Sequence, residues 1–370
     1  APPPAAVQAP EGIDPNQLKG LPKLLYLART WGCSDLHISV GKPPFVRLNG
    51  EIRYLETEPL TPERTEKLNF ALLTEQQRAD LRALLTLDFS LELQGLGRHR
   101  CNVFHQRLGW DGVYRIVSSS IPTVEQLGLP PVVKTLCDFH QGLLLVTGPS
   151  GSGKTTTIAA MLDHVNDHRD DHIITVEDPI EYVQRPKRCQ ITQREVGPHT
   201  QSFGNALRAA LREDPDIILV GELRDLETIG IAISAAETGH LVFGSLHTGS
   251  ASRTVSRIVD TYPAKQRAQI RVMISESLRG VISQQLLPRR DGNGRVAALE
   301  VLVVTSAVSS LIKEDKSHLM ASVMQSGRKV GMRTMDESLM ELLSAGHISG
   351  RVAYRAAENK ANFELNKDQD

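Results

Sequence analysis

The period of the apolar positions changes near residue 140, and the change divides the chain into two differently built parts. Leu18, Leu21, Leu24, Leu25 and Leu27 recur at helical spacing and predict a helix ending near Gly32. Leu36, Ile38 and Val40 then alternate with polar residues, as in a half-buried strand. The run from Phe45 to Tyr54 follows, with Asn49-Gly50 placed as a tight hairpin turn. Helical runs near 61–72 and 74–85 lead into strand-like runs near 88–93, 99–107 and 111–118. Together these predict an N-terminal α+β domain over 13–120. Residues 1–12 read as a disordered tail, and 121–135, with Ile121-Pro122 and Pro130-Pro131, as a linker.

Beyond it, apolar strand-like runs alternate with helical ones: 142–147 then 153–166, 172–177 then 202–213, 216–221 then 225–237, and 241–246 then 250–261. Strands this uniformly apolar belong in a parallel sheet covered on both faces. A long amphipathic stretch over 264–287, a strand near 296–304 and several helices complete a second domain spanning 136–358, and 359–370 reads as a polar, frayed tail. No repeat of fixed period is present.

Composition narrows the class. The 370 residues are 40% hydrophobic and 23% charged, with a formal net charge of −1, so no whole-chain attraction to nucleic acid or anionic lipid is expected. Cys33, Cys101, Cys137 and Cys189 form no CxxC pair, which argues against a cysteine-based zinc site and for reduced thiols in a cytosolic protein. No apolar run reaches the roughly 18–20 residues that span a bilayer. Ala1 to Pro10 lacks a basic and an apolar region, so no secretory signal is expected, and any membrane role must come through a partner.

One loop carries specific chemistry. The apolar run Leu143–Thr147 feeds Gly148-Pro149-Ser150-Gly151-Ser152-Gly153-Lys154-Thr155-Thr156, and a helical pattern follows. This is the Walker A pattern in its strand–loop–helix setting. Glycines let backbone N–H groups converge on phosphate oxygens, and the helix directs its positive end at the same anion. Lys154 is expected to reach the β- and γ-phosphates of ATP, and the Thr155 hydroxyl to coordinate Mg²⁺.

Acidic groups close two of the strands. Glu177, Asp178 and Glu181 follow one, and Glu222 follows Asp216–Gly221. In an open α/β sheet the ligand lies beyond the carboxyl ends of the strands, so these groups are placed to face it. One carboxylate there is expected to orient water and accept its proton, and another to hold Mg²⁺ through water. The alternative role for each is to cap a helix or pair with Arg212 or Arg224. His247 and Thr248 end the strand 241–246 on the same side and are placed to sense the γ-phosphate. His240 opens that strand, and on geometry alone reads as structural.

The P-loop, the acidic box 177–181, the stretch from Leu211 to Asp225 and the histidine box 239–248, in this order, resemble the bacterial type II/IV secretion and type IV pilus ATPases. The runs Gln193–Gly197 and Gly331–Asp336 are similar to the pilus retraction branch. The resemblance implies a hexameric ring of chains, each a PAS-like domain followed by a RecA-like P-loop domain. It further implies ATP hydrolysis that moves the domains and drives an inner-membrane platform protein, and through it pilin, from the cytoplasmic face, with a second retraction motor as a further partner. Lys154, Glu181 and Glu222 are implied as catalytic, with Glu181 as base, and His240 and His247 as contributors. Arginines of the N-terminal domain are implied to reach the phosphates; the candidates are Arg100, Arg107 and Arg115, since an arginine there stabilises the charge of the transferring group.

Assembly and secretion relatives carry a further N-terminal domain and a paired-CxxC insertion, so the pattern here favours retraction. A nucleic-acid motor is disfavoured by the near-zero charge and the want of a basic, aromatic-bearing stripe. A non-hydrolysing scaffold is disfavoured by the intact Lys154, Glu181 and Glu222. One departure stands out: retraction ATPases carry Ala-Ile-Arg-Asn-Leu-Ile near the C-terminus, where this chain has Ala307-Val308-Ser309-Ser310-Leu311-Ile312. It bears on how retraction is performed, not on hydrolysis.

Overall fold

A computed structural model describes residues 14–48, 51–55, 57–117, 120–292 and 294–368. The tail expected over 1–12 and the hairpin dipeptide Asn49-Gly50 lie outside the described residues. The chain separates into two compact units at Ser120/Ile121.

In the first unit, a helix over Leu21–Thr30 is followed by β1 (Asp35–Ile38), β2 (Phe45–Leu48) and β3 (Glu51–Tyr54). Helices Pro62–Phe70 and Glu75–Leu84 come next, each with a threonine N-cap, Thr61 and Thr74, accepting from the backbone three residues on. The unit ends with β4 (Thr86–Leu93), β5 (Gly97–Gln106) and β6 (Gly109–Ile116). The six strands form one antiparallel sheet in the order β3-β2-β1-β6-β5-β4. Leu21, Leu25, Leu36, Ile38, Val46 and Tyr114 build a core from the helix and the inward positions of the strands. This is the PAS-like α+β unit.

The second unit is built on a seven-stranded sheet: β7 (Gly142–Thr147), β8 (His172–Glu177), β9 (Gln190–Glu195), β10 (Ile217–Val220), β11 (Leu241–Leu246), β12 (Leu278–Pro288) and β13 (Arg295–Val303). Its order is β13-β12-β7-β11-β10-β8-β9, parallel throughout except for the β12–β13 hairpin. Every residue of β7, β10 and β11 is buried, as strands with both faces covered must be. The helix Lys154–His168 packs on one face with Ile158, Met161 and Leu162. The other face is covered by helices Leu226–Glu237, Ala251–Thr261 and Arg267–Ser277. One strand, β11, separates the P-loop strand β7 from β10, the arrangement of a RecA-like fold.

Four features differ from expectation. Residues 190–195 form an edge strand, β9, whose polar Gln-Ile-Thr-Gln-Arg-Glu sequence shows little apolar run. The amphipathic stretch 264–287 divides at Ser277: a helix up to there, then β12, where Gly280, Val281 and Ile282 suit a strand covered on both faces. Residues 121–135 do not hang free, since Val124, Leu129 and Val133 are buried against the sheet and a helix spans Val132–Cys137. The C-terminal stretch Lys360–Asn366 is helical, with Phe363 fully buried beside Met335 and Leu339.

Candidate nucleotide site

Parallel strands bring their carboxyl ends to one edge, and that edge collects the sequence candidates. Thr147 ends β7 in register with Leu246 of β11, and Gly244 of β11 stands beside Val220 of β10. The P-loop therefore leaves β7 next to His247, and Glu222 follows β10 one strand further on.

The loop is built to bring backbone close to a ligand. Gly148 has φ 144° and Gly153 φ 90°, both in the region that favours glycine. A Cβ on Gly148 would collide with the backbone oxygen of Gln284, and one on Gly153 would stand 2.8 Å from its side-chain nitrogen. Lys154, only 9% exposed, turns back so that Nζ donates to the carbonyls of Gly148 (2.9 Å) and Pro149 (3.1 Å). Burial lowers its pKa, while Glu222 and Glu181 pull the other way. The Ser152 hydroxyl is buried and has no hydrogen-bond partner among the described residues. Thr155 is exposed at the first turn of the helix, and Thr156 Oγ1 lies 3.0 Å from the Tyr182 hydroxyl. Orphaned hydroxyl, caged ammonium and glycine cradle together fit the phosphates of a nucleotide, with Thr155 free to hold Mg²⁺.

His247 joins the loop to the acidic edge. Its Nδ1 is 3.4 Å from Lys154 Nζ and its Nε2 is 3.0 Å from Glu222 Oε1. Because an ammonium can only donate, Nδ1 accepts and the ring proton sits on Nε2, aimed at Glu222. Arg224 Nε donates to Glu222 Oε2 (2.7 Å) and its guanidinium lies 3.6 Å from Asp178. Glu177 is buried and accepts from Thr175 Oγ1 (2.7 Å) and Gln193 Nε2 (3.0 Å), which makes it a brace for the strand ends. Glu181 is half-buried within electrostatic reach of Lys154, and forms no hydrogen bond or ion pair among the described residues.

One of the expected residues lies elsewhere in this unit. His240 precedes the first residue of β11, and its Nδ1 is 3.0 Å from the carbonyl of Ala235 at the end of the preceding helix. A six-residue strand separates it from His247, about 20 Å at the usual rise. Its surroundings are those of a helix-to-strand corner. Arg107 is an exposed residue of the turn between β5 and β6, because β5 ends at Gln106. It lies at the opposite end of that hairpin from Arg100 and Arg115, which face each other across β5 and β6. Arg115 Nε donates to the buried Asp35 at 2.9 Å, whereas Arg100 is exposed and forms no ion pair among the described residues.

Gln284 of β12 also touches the P-loop and drew no attention as sequence. The signal was there: Ser283-Gln284-Gln285 is a polar triplet inside a strand that is apolar from Gly280 to Ile282 and again at Leu286 and Leu287.

A glycine loop between a parallel strand and a helix, with lysine, histidine and glutamate gathered at the strand ends, defines a P-loop ATPase. Residues 125–354 match the family model of the type II/IV secretion system proteins, and the chain belongs to that family. It is 48% identical over 341 residues to the type IV pilus retractation ATPase PilT of Pseudomonas aeruginosa, covering 92% of this chain and 99% of that one. It is 46% identical over 320 residues to a twitching motility protein of Neisseria gonorrhoeae, covering 86% of each. A crystal structure of the pilus retraction motor PilT with bound ADP superposes with a TM-score of 0.88 at 46% identity, over 94% of this chain and all of that one.

Proposed function

We propose that this chain is a Mg²⁺-dependent ATPase motor that powers type IV pilus retraction, as a homo-hexamer at the cytoplasmic face of the inner membrane. The observation that carries the reading is the Lys154–His247–Glu222 array on the carboxyl edge of a RecA-like sheet, in a chain similar along nearly its whole length to a protein named for retraction. No helix among the described residues is long and apolar enough to cross a membrane, so force would pass through a platform protein to pilin.

Within the site, Lys154 holds the β- and γ-phosphates. Thr155 and Glu222 would hold Mg²⁺, which when bound would draw negative charge off the phosphates. Glu181 serves as the base: it forms no hydrogen bond or ion pair among the described residues, and it lies within electrostatic reach of Lys154. Glu222 and His247 form a hydrogen-bonded pair that reads whether the γ-phosphate is in place. Arg100 and Arg115 of the PAS-like unit supply positive charge to the transferring group, with Arg100 the freer of the two. Hydrolysis then shifts the PAS-like unit against the ATPase unit.

A second reading rests on Ser309 and Ser310. Both lie on the helix Ser306–Lys313; Ser309 Oγ donates to Ser275 O (2.9 Å) and Ser310 Oγ to Ser306 O (3.0 Å). Neither offers the charge of an arginine, which favours an accessory retraction motor working beside a second one. Deletion in the source bacterium, scored for surface pili and twitching, tests both readings. Hyperpiliated, non-twitching cells support retraction, and bald cells overturn it. Unchanged cells that lose twitching only when a second motor is also deleted support the accessory role.

A further inference from the structure

The phosphate loop owes its shape to a strand 132 residues away. Gln284 is 3% exposed, and its side chain makes two short hydrogen bonds to the loop and its helix. Oε1 accepts from Thr157 Oγ1 at 2.7 Å, and Nε2 donates to the carbonyl of Ser152 at 2.7 Å. The backbone oxygen of the same residue closes on Gly148, and its Nε2 on Gly153. The preceding residue, Ser283, shares a 2.8 Å hydrogen bond with Thr147, where β7 gives way to the loop. One strand thus grips the loop at its start, its middle and the first turn of its helix.

The Ser152 contact has a consequence for phosphate binding. In a trans peptide the C=O and N–H point in opposite directions. With the Ser152 carbonyl tied to β12, the N–H of Gly153 faces away from β12, into the cradle where phosphate oxygens are received. Released, that peptide is freer to turn, because turning it rotates ψ of Ser152 and φ of Gly153, and Gly153 tolerates either hand of backbone. A carbonyl turned toward the phosphates would repel them.

We propose that Gln284 is a positioning residue for the phosphate loop: it orients the Ser152–Gly153 peptide for phosphate without touching the nucleotide. The proposal rests on the nucleotide-binding role of the loop. Its test uses the full chain, with a fluorescent ADP analogue for affinity, steady-state phosphate release for kcat and KM, and thermal unfolding for stability. Gln284→Met keeps the shape and loses both hydrogen bonds. Gln284→Glu still accepts from Thr157 but sets an oxygen against the Ser152 carbonyl. Both are expected to weaken analogue binding by about tenfold or more, with KM rising more than kcat falls. Thr157→Val is expected to weaken binding less, Thr157→Ser to restore it, and Thr157→Val to add little in a Gln284→Met background.

Wild-type affinity and KM in Gln284→Met, measured below its own melting temperature, would overturn the proposal. So would a Thr157→Val effect that simply adds to it. Should Gln284→Met not fold, Gln284→Glu and the two Thr157 variants carry the same comparison. Lys154→Ala runs alongside: normal analogue binding there would refute the loop's role itself, a failure separate from that of Gln284.

Discussion

His247 Nε2 lies 3.0 Å from Glu222 Oε1, so a residue at the end of β11 and one just past β10 are joined at the carboxyl edge of the sheet. On its other side the imidazole faces Lys154, and the three residues form one line from the phosphate loop to the acidic edge. His247→Ala breaks that line while leaving the loop in place. Turnover should fall roughly a hundredfold with ADP affinity changed by only about threefold. Parallel measurement of kcat and analogue binding checks this, and an affinity loss that matches the kcat loss would mean His247 shapes the loop instead of reading the phosphate.

Lys154 and Glu222 should fail in different ways. Lys154→Ala removes the ammonium that the loop carbonyls cage, and nucleotide affinity should drop by roughly two orders of magnitude. Glu222→Gln keeps the shape and a hydrogen bond to Arg224 or His247 but not the charge. It should bind ATP near normally and turn over roughly 10²- to 10³-fold more slowly. Retained turnover in the glutamine variant would sink the role given to Glu222.

What could be read from the chain, and what could not, follows from the range of the interactions. The strands of the parallel sheet and the P-loop were legible because their signals are local: an apolar run, a glycine pattern, a helix start. Glu222 and His247 were legible as strand-end residues, since parallel strands send all their carboxyl ends to one edge. β9 was not, because its sequence alternates weakly and its pairing with β8 is decided by the sheet. The strand half of 264–287 was hidden by a periodicity that suits a helix nearly as well, and was settled by partners on both sides, β7 and β13. Family resemblance set His240 beside the site, whereas the fold holds it at the far end of its strand. Gln284 carries only the mark of a polar triplet within its strand, and nothing near it in sequence indicates the loop it grips.

The three arginines of the N-terminal unit are now distinguishable. Arg100 and Arg115 stand opposite each other, a like-charge pair that costs stability unless it meets an anion, and Asp35 answers only Arg115. Arg100→Ala should lower kcat roughly 10²- to 10³-fold in the assembled enzyme without loss of stability. Arg115→Ala should lower kcat and also destabilise the unit, by leaving the buried Asp35 without its cation. Arg107→Ala, at the hairpin turn, should behave as wild type. Steady-state kinetics with thermal unfolding on all three separates these outcomes, and an inactive Arg107→Ala beside an active Arg100→Ala would reverse the assignment.

Glu300 gives the fold a pH signature. It lies in β13, 4% exposed, and accepts from the backbone N–H of Ala251, the first residue of the helix after the His247 turn, at 2.6 Å. Burial raises its pKa to about 7 from the usual 4.5, against the pull of that backbone hydrogen bond. A folded-state pKa above the unfolded one means the folded chain binds the proton more tightly. The stability from that proton is complete below pH ~4.5 and is lost as pH rises toward 7, by up to about 3 kcal/mol. Glu300→Gln cannot ionise and removes this slope, whatever constant offset it adds. Denaturant unfolding of wild type and variant between pH 5 and pH 8 should show the gap shifting in favour of the variant as pH rises. Curves that stay parallel across that range would show that Glu300 ionises alike in the folded and unfolded chain.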